Sequence, residues 1–167
     1  MPVLIGFTGT RTDLPPSQRA ALEAVLRSLH VWGWGASMAH GDCVGADLAA
    51  HDIAMRLGYM VHVLPPLSNR YRAFCVGHQN YVPAEYMIRN RRIASMCTRL
   101  VAAPLSPEEE APRSGTWATV RMARHLGKPI TLVWPDGRVE DEPGAAAQVG
   151  GEAGAGDAEA AHGPVSG

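Results

Sequence analysis

Five short apolar runs alternate with four segments of helical periodicity, and this alternation constrains the fold more than any other feature of the chain. Residues 3–7 (VLIGF), 35–41 (GASMAHG), 59–65 (YMVHVLP), 99–104 (RLVAAP) and 129–137 (PITLVWPDG) read as buried strands. Between them, residues 15–30, 46–57, 84–97 and 114–127 carry helical spacing. In the first helix Leu22, Val25, Leu26 and Leu29 share one face, and Pro15 and Pro16 suit its first turn. Gly58 follows the second helix as a stop. Strictly alternating strands and helices predict an α/β fold: a Rossmann-like parallel sheet of about five strands with helices on both faces. Ligands of such sheets bind outside the carboxyl ends of the strands. The loops at those ends are residues 8–11, 40–47, 65–83 and 104–116, and they concentrate the unusual residues of the chain.

The 167 residues suit one domain, and a hydrophobic content of 46% is enough for a packed core. Residues 138–167 hold one base and six acids, with few large apolar side chains, and read as a disordered Gly/Ala-rich acidic tail. The expected domain therefore spans residues 1–137. It carries 14 bases against 10 acids, a net of +4, which suits an anionic ligand but falls short of a dedicated DNA binder. Three widely spaced cysteines form no disulfide framework and fit a cytoplasmic setting. The chain shows no signal peptide and no apolar stretch that could span a membrane, so no membrane partner is expected.

The segment HGDCVGAD (40–47) admits three chemistries. A zinc site can be drawn from His40, Cys43, Cys75 and His78, but neither pair has C-x2-C spacing and the two lie on different loops. No metal and no cofactor are expected. Cys43 stands near a helix start, which lowers a thiol pKa, but Asp42 and Asp47 oppose that effect. The phosphate-loop reading fares better. Gly41 and Gly45 turn the chain after a strand, Asp42 is placed to cap the next helix, and Ala46 opens that helix. Asp47 is the candidate for a ribose hydroxyl. Ser114, Gly115 and Thr116 repeat the design at another helix start, and Gly9, Thr10 and Arg11 add a third donor-rich turn. On the third helix Arg89 and Asn90 are the candidates for charge neutralisation and polar contact. Tyr71, Phe74 and Tyr81 in the long loop are candidates to stack on a base, with Arg70 and Arg72 for phosphate, and Trp117 to line a pocket.

The motifs GFTGTR, HGDCVGAD, IRNRRI, RLVAAP and SGTWATVRMARHLGKPI resemble the SLOG superfamily of Rossmann-like proteins over residues 3–134. That superfamily includes the LOG phosphoribohydrolases, the DNA-processing protein DprA and small YspA-like proteins. The likeness is strongest to the YspA-like, DUF2493-type branch. It implies a nucleotide-like small-molecule ligand, often a homo-oligomer, and function as a binding module or sensor. It also implies two alternatives: an N-glycosidase acting on a nucleoside 5'-monophosphate, and a single-stranded DNA binder. Arg89-Asn90 stands where LOG enzymes have Arg-Lys. Pro104 matches their signature proline, but nine residues separate it from Ser114-Gly115-Thr116, and Thr119 occupies the position of the LOG glutamate. A hydrolase would need another carboxylate, from Asp42, Asp47, Glu85 or one of Glu108, Glu109 and Glu110. Glu85, one turn before Arg89, is the expected stand-in, so Glu85, Arg89 and Asp47 form the candidate catalytic set.

Overall fold

The computed structural model describes residues 3–31, 35–106 and 114–145. The chain runs β1 (Leu4–Gly9), α1 (Pro16–Val31), β2 (Ser37–His40), α2 (Ala46–Leu57), β3 (Met60–Val63), a 3-10 turn (Asn69–Tyr71), β4 (Gln79–Asn80), α3 (Tyr86–Met96), β5 (Arg99–Ala103), α4 (Gly115–His125), β6 (Ile130–Val133) and β7 (Val139–Glu142). One seven-stranded sheet has the order β4-β3-β2-β1-β5-β6-β7. Every pair is parallel except β6–β7. The α/β, mostly parallel, Rossmann-like architecture is the one expected, with two further strands.

The period-2 alternation of each strand divides the core. Ile5, Phe7, Met38, Val61 and Val101 face Leu22 and Leu26 of α1 and Ile53 of α2. Leu100, Ala102, Ile130 and Leu132 face Ile93 of α3 and Val120 of α4. Successive strand side chains point to opposite faces, so central strands with apolar residues at every position require helices on both sides.

The two added strands escape apolar pattern reading for different reasons. β4 is two exposed polar residues held to the edge of β3. β7 has the sequence VEDE, read above as the start of the acidic tail, and its side chains are held by polar partners instead of apolar burial. Thr131 Oγ1 and Arg99 Nη1 donate to Asp141 at 2.6 and 3.1 Å, Trp134 Nε1 donates to Glu140 at 3.1 Å, and Arg124 forms a fork with Glu142. Gly137, at φ 85°, closes the turn between β6 and β7. The sheet therefore continues past residue 137, and the tail expected to follow lies outside the described residues from 146 onward.

The order of connection reverses between β1 and β5. From β1 the chain first winds outward through β2 and β3, then returns to β5 on the other side. The loops after β1 and β5 diverge there, and a crevice opens between their carboxyl ends.

Candidate functional site

That crevice holds a cavity of about 240 Å³. Thr8, Gly9, Thr10 and Arg11 line it from the end of β1, and Ser114, Gly115, Thr116 and Trp117 from the start of α4. Tyr86, Arg89 and Asn90 reach it from α3, Leu105 follows β5, and Cys43 and Asp47 follow β2. Nine of the expected ligand-contacting or catalytic residues thus converge: Gly9, Thr10, Arg11, Asp47, Arg89, Asn90, Ser114, Gly115 and Thr116.

Arg89 is 6% exposed and donates from Nη2 to Cys43 Sγ at 3.4 Å. Among the described residues it has no carboxylate within 4.0 Å. Its Nε is buried with no hydrogen-bond partner. A buried guanidinium without a direct ion pair is costly, because the low-dielectric surroundings do not replace its lost hydration, and the charge of Asp47 reaches it only from beyond 4.0 Å. The phenol oxygen of Tyr86 and the indole Nε1 of Trp117 are also buried without partners. All three are potential donors, and all belong to residues lining the cavity. Such a set suits a ligand rich in acceptor oxygens.

Gly41 does not line the cavity. A Cβ there would overlap the Arg89 guanidinium, so glycine at this position makes room for the buried cation. Gly45 is likewise behind the wall, at φ 83°, and a side chain there would run into the backbone carbonyl of Arg11. Ala46 is fully buried, and its amide donates to the Thr10 carbonyl at 2.9 Å. Gly41, Gly45 and Ala46 shape the site from behind, so their expected direct contact with ligand is replaced by a role in packing the loops together.

Asp47 is 4% exposed and is the one carboxylate on the cavity lining among the described residues. Its Oδ2 accepts the Cys43 amide at 3.1 Å. Burial pushes its pKa up to about 6, against the opposing charge of Arg89 and the amide bonds from Cys43 and Gly41. Burial, followed by the charge of Asp47, also raises the Cys43 thiol, which disfavours a thiolate nucleophile.

Asp42 departs from expectation. It does not cap α2, whose N-cap is Gly45 with no side-chain bond. Asp42 is fully buried at φ 59°, and its carboxylate accepts from Arg72 Nε at 2.7 Å and from the Cys75 amide at 2.8 Å. Its carbonyl accepts the Ala73 amide, and the Val44 amide donates to the Tyr71 carbonyl. Asp42 therefore pins the long loop to the 40–47 segment rather than meeting a ligand. Arg72 is committed to that pair, with its guanidinium 4.5 Å from the centre of the half-exposed Phe74 ring. Tyr81 packs beside His62, away from the cavity lining.

Glu85 is exposed at the N-cap of α3 and lies off the cavity lining. Its expected catalytic role has no geometric support, because its side chain belongs to the solvated end of the helix. Thr119 is buried and donates to the Gly115 carbonyl at 2.9 Å, a bond within α4. Ser114 does cap that helix, accepting the Trp117 amide at 3.4 Å. Residues 108–110, the remaining acidic candidates, lie outside the described residues.

One group of metal-type donors comes together among the described residues: His40, His51 and Cys75, with donor atoms within 4.8 Å of one another. It differs from the four residues weighed in the sequence. Cys43 lies on the cavity instead, and His78 Nδ1 accepts the Val61 amide. His40 Nδ1 accepts the Asp42 amide at 3.1 Å, so its proton sits on Nε2, which donates to His51 Nδ1 at 3.0 Å. Both lone pairs that face inward are already used. The two histidines form a neutral hydrogen-bonded pair, and burial pushes the His40 pKa down to about 3.

Sequence reasoning missed Thr8, Cys43 as a lining residue, Tyr86 and Leu105. Tyr86 opens α3 three residues before Arg89, a spacing that places both on one helix face and was available as a signal.

No protein-family model matches the chain, and no curated protein does. Solved structures do. A molybdenum-cofactor binding protein from Rippkaea orientalis superposes with a TM-score of 0.62 at 18% identity, covering 79% of this chain and 76% of its own. DprA from Streptococcus pneumoniae superposes with a TM-score of 0.56 at 19% identity over 78% of this chain and 50% of its own. DprA from Helicobacter pylori, described in terms of its single-stranded DNA binding mode, gives 0.55 at 20% identity over 78% and 65%. The likeness to these structures is one of fold, and the chain has their mostly parallel, Rossmann-like α/β architecture.

Proposed function

We propose that the domain binds a nucleotide or phosphorylated nucleoside in the crevice between β1 and β5. The observation that carries this reading is Arg89: a buried guanidinium with no carboxylate within 4.0 Å among the described residues, on the lining of a cavity rimmed by helix-start amides. A phosphate placed there supplies the direct ion pair that Arg89 lacks and accepts from the first turn of α4, where amide groups lack intrahelical partners. Asp47, on the same lining, accepts from a ribose hydroxyl. The cavity accommodates about one nucleoside monophosphate, with Trp117 and Tyr86 as apolar walls.

The test is calorimetric titration of the protein with the four common ribonucleoside 5'-monophosphates and with inorganic phosphate. Binding that Arg89→Met abolishes without unfolding the protein is the expected result. No binding of any of these ligands at low salt overturns the reading.

A second reading is hydrolysis of the N-glycosidic bond of such a ligand, to free base and ribose 5-phosphate. It is favoured by the pKa of Asp47, raised to about 6, which suits a group that exchanges protons near neutrality. Release of base from bound monophosphate, lost in Asp47→Asn, supports hydrolysis; binding without release at any pH from 5 to 8 eliminates it.

The proposal extends to a cytoplasmic homo-oligomer. Free Cys43, Cys75 and Cys97 support a reducing compartment, and no helix among the described residues is long and apolar enough to cross a membrane. Met87 on α3 and Leu126 after α4 are about half exposed beside one groove, which supports self-association. Light scattering coupled to size exclusion measures it directly.

A further inference from the structure

Arginine and tyrosine side chains alternate in a continuous series of contacts that starts in the cavity and ends at the surface. The guanidinium carbon of Arg89 lies 5.4 Å from the centre of the Tyr86 ring. Arg11 lies 5.0 Å from the Tyr86 ring and 4.3 Å from the Tyr71 ring, so both rings hold it. Arg70, exposed, lies 5.1 Å from the Tyr71 ring. The series therefore reads Arg89, Tyr86, Arg11, Tyr71, Arg70, from buried to solvated.

These three cations differ from many others in the protein. Arg56, Arg72, Arg99 and Arg138 each have a carboxylate within 4.0 Å. Arg11, Arg70 and Arg89 have none among the described residues. A guanidinium against an aromatic ring keeps its N–H edge free for phosphate, because the ring occupies only the flat face. The tyrosines thus fix the orientation of the arginines without neutralising them.

Backbone contacts lock the series in place. Tyr71 is held by the Val44 amide at its carbonyl, and the loop behind it is tied down by Asp42. Arg11 lies where Gly45 leaves room for its carbonyl.

We propose that the ligand carries phosphate beyond the cavity: a nucleotide whose phosphate chain continues outward, with one phosphoryl group at Arg89 and the start of α4 and a further one between Arg11 and Arg70. This rests on the nucleotide reading of the cavity and sharpens it. Two sources share that chemistry, a nucleoside polyphosphate and the phosphodiester backbone at the end of a nucleic-acid strand.

The experiment compares adenosine 5'-monophosphate, adenosine 5'-triphosphate and the 5'-phosphorylated dinucleotide pApA, with the guanosine, cytidine and uridine series alongside, on the wild type and on Arg70→Gln. One charge-assisted contact corresponds to about a tenfold change in affinity. The longer ligand binds about tenfold tighter than the monophosphate in the wild type. Arg70→Gln removes that advantage and leaves the monophosphate affinity unchanged. A gain confined to the triphosphate assigns the polyphosphate, and one confined to pApA assigns the strand end; both support the proposal. Monophosphate binding with no gain from added phosphate overturns it, as does an equal loss for short and long ligands in Arg70→Gln. Failure of every monophosphate to bind, by contrast, sinks the nucleotide reading itself.

Discussion

Replacing Asp47 with Asn is expected to stabilise the fold at neutral pH and to lose that advantage as the pH falls. The carboxyl is almost fully buried, and its pKa is raised from 3.8 to about 6. At pH 7 the folded protein therefore retains a charge that the unfolded chain holds more easily. The gap corresponds to about 3 kcal/mol, as an upper bound, with the attraction of Arg89 and the amide bonds already included. Asparagine keeps an oxygen to accept the Cys43 amide and removes the buried charge. The sign follows from the order of protonation. Between pH 6 and pH 4 the folded wild type takes up the proton before the unfolded chain, so acidification relieves the burial penalty and the difference from the variant shrinks toward zero. His40 works in the opposite direction. Its pKa falls from 6.5 to about 3 in the fold, so the unfolded chain protonates first and stability is lost below pH 6.5, at about 1.4 kcal/mol per pH unit. In the wild type the two slopes oppose each other between pH 6 and pH 4; in Asp47→Asn the His40 slope is exposed. Urea denaturation at pH 7, 6, 5 and 4, followed by tryptophan fluorescence, gives both curves. A constant stability difference from pH 7 to pH 4, or a variant less stable at pH 7, refutes the argument that a buried charged Asp47 is held at a cost.

Three further outcomes are expected. Gly41→Ala places a methyl group on the Arg89 guanidinium, so nucleoside monophosphate affinity falls by tenfold or more in calorimetry while circular dichroism still reports a folded domain. Asp42→Ala leaves Arg72 and the Cys75 amide without their shared acceptor; a loss of about 3 kcal/mol in urea unfolding, with faster proteolysis within residues 65–83, is expected, and wild-type resistance counts against the pinning role. Glu142→Ala removes a fork with Arg124 in which both partners are part-exposed; its expected cost is below about 1 kcal/mol, and a larger loss in thermal unfolding would make β7 more than an edge addition.

The alternation of apolar runs made the central sheet legible, because burial on both faces forces apolar residues at every strand position. The same rule hid β7. Its acids are satisfied by Arg99, Thr131, Trp134 and Arg124, partners that come from other elements and leave no periodicity in VEDE. The dipeptide Asp136-Gly137 did carry a hairpin signal, and Gly137 at φ 85° uses it. Within the site, the residues that were legible are those for which chain position alone fixes the role. Gly9 to Arg11 and Ser114 to Thr116 follow strands and start turns or helices, so the topology brings them to one crevice.

The residues of HGDCVGAD were harder to separate, because two aspartates five positions apart face different neighbours. Asp42 lies in the left-handed region and turns its carboxylate toward Arg72 and Cys75, thirty or more residues downstream. Asp47, already on α2, points back at the Cys43 amide and the cavity. No local rule distinguishes them; the long loop does, by supplying Arg72 to one and leaving the other beside Arg89. The same division explains the glycines. Gly41 is dictated by the space that the Arg89 guanidinium occupies, and Gly45 by the close approach of the Arg11 backbone. Each is thus a consequence of an arginine on another element. If the two arginines serve one phosphate-bearing ligand, then Gly41→Ala and Gly45→Ala impair the same binding event from opposite ends. Gly41→Ala acts at Arg89 and weakens every phosphate ligand, whereas Gly45→Ala displaces Arg11 and weakens the longer ligands more. Equal losses for monophosphate and pApA in both variants would separate the glycine packing from the two-phosphate arrangement and leave Arg89 alone as the anion site.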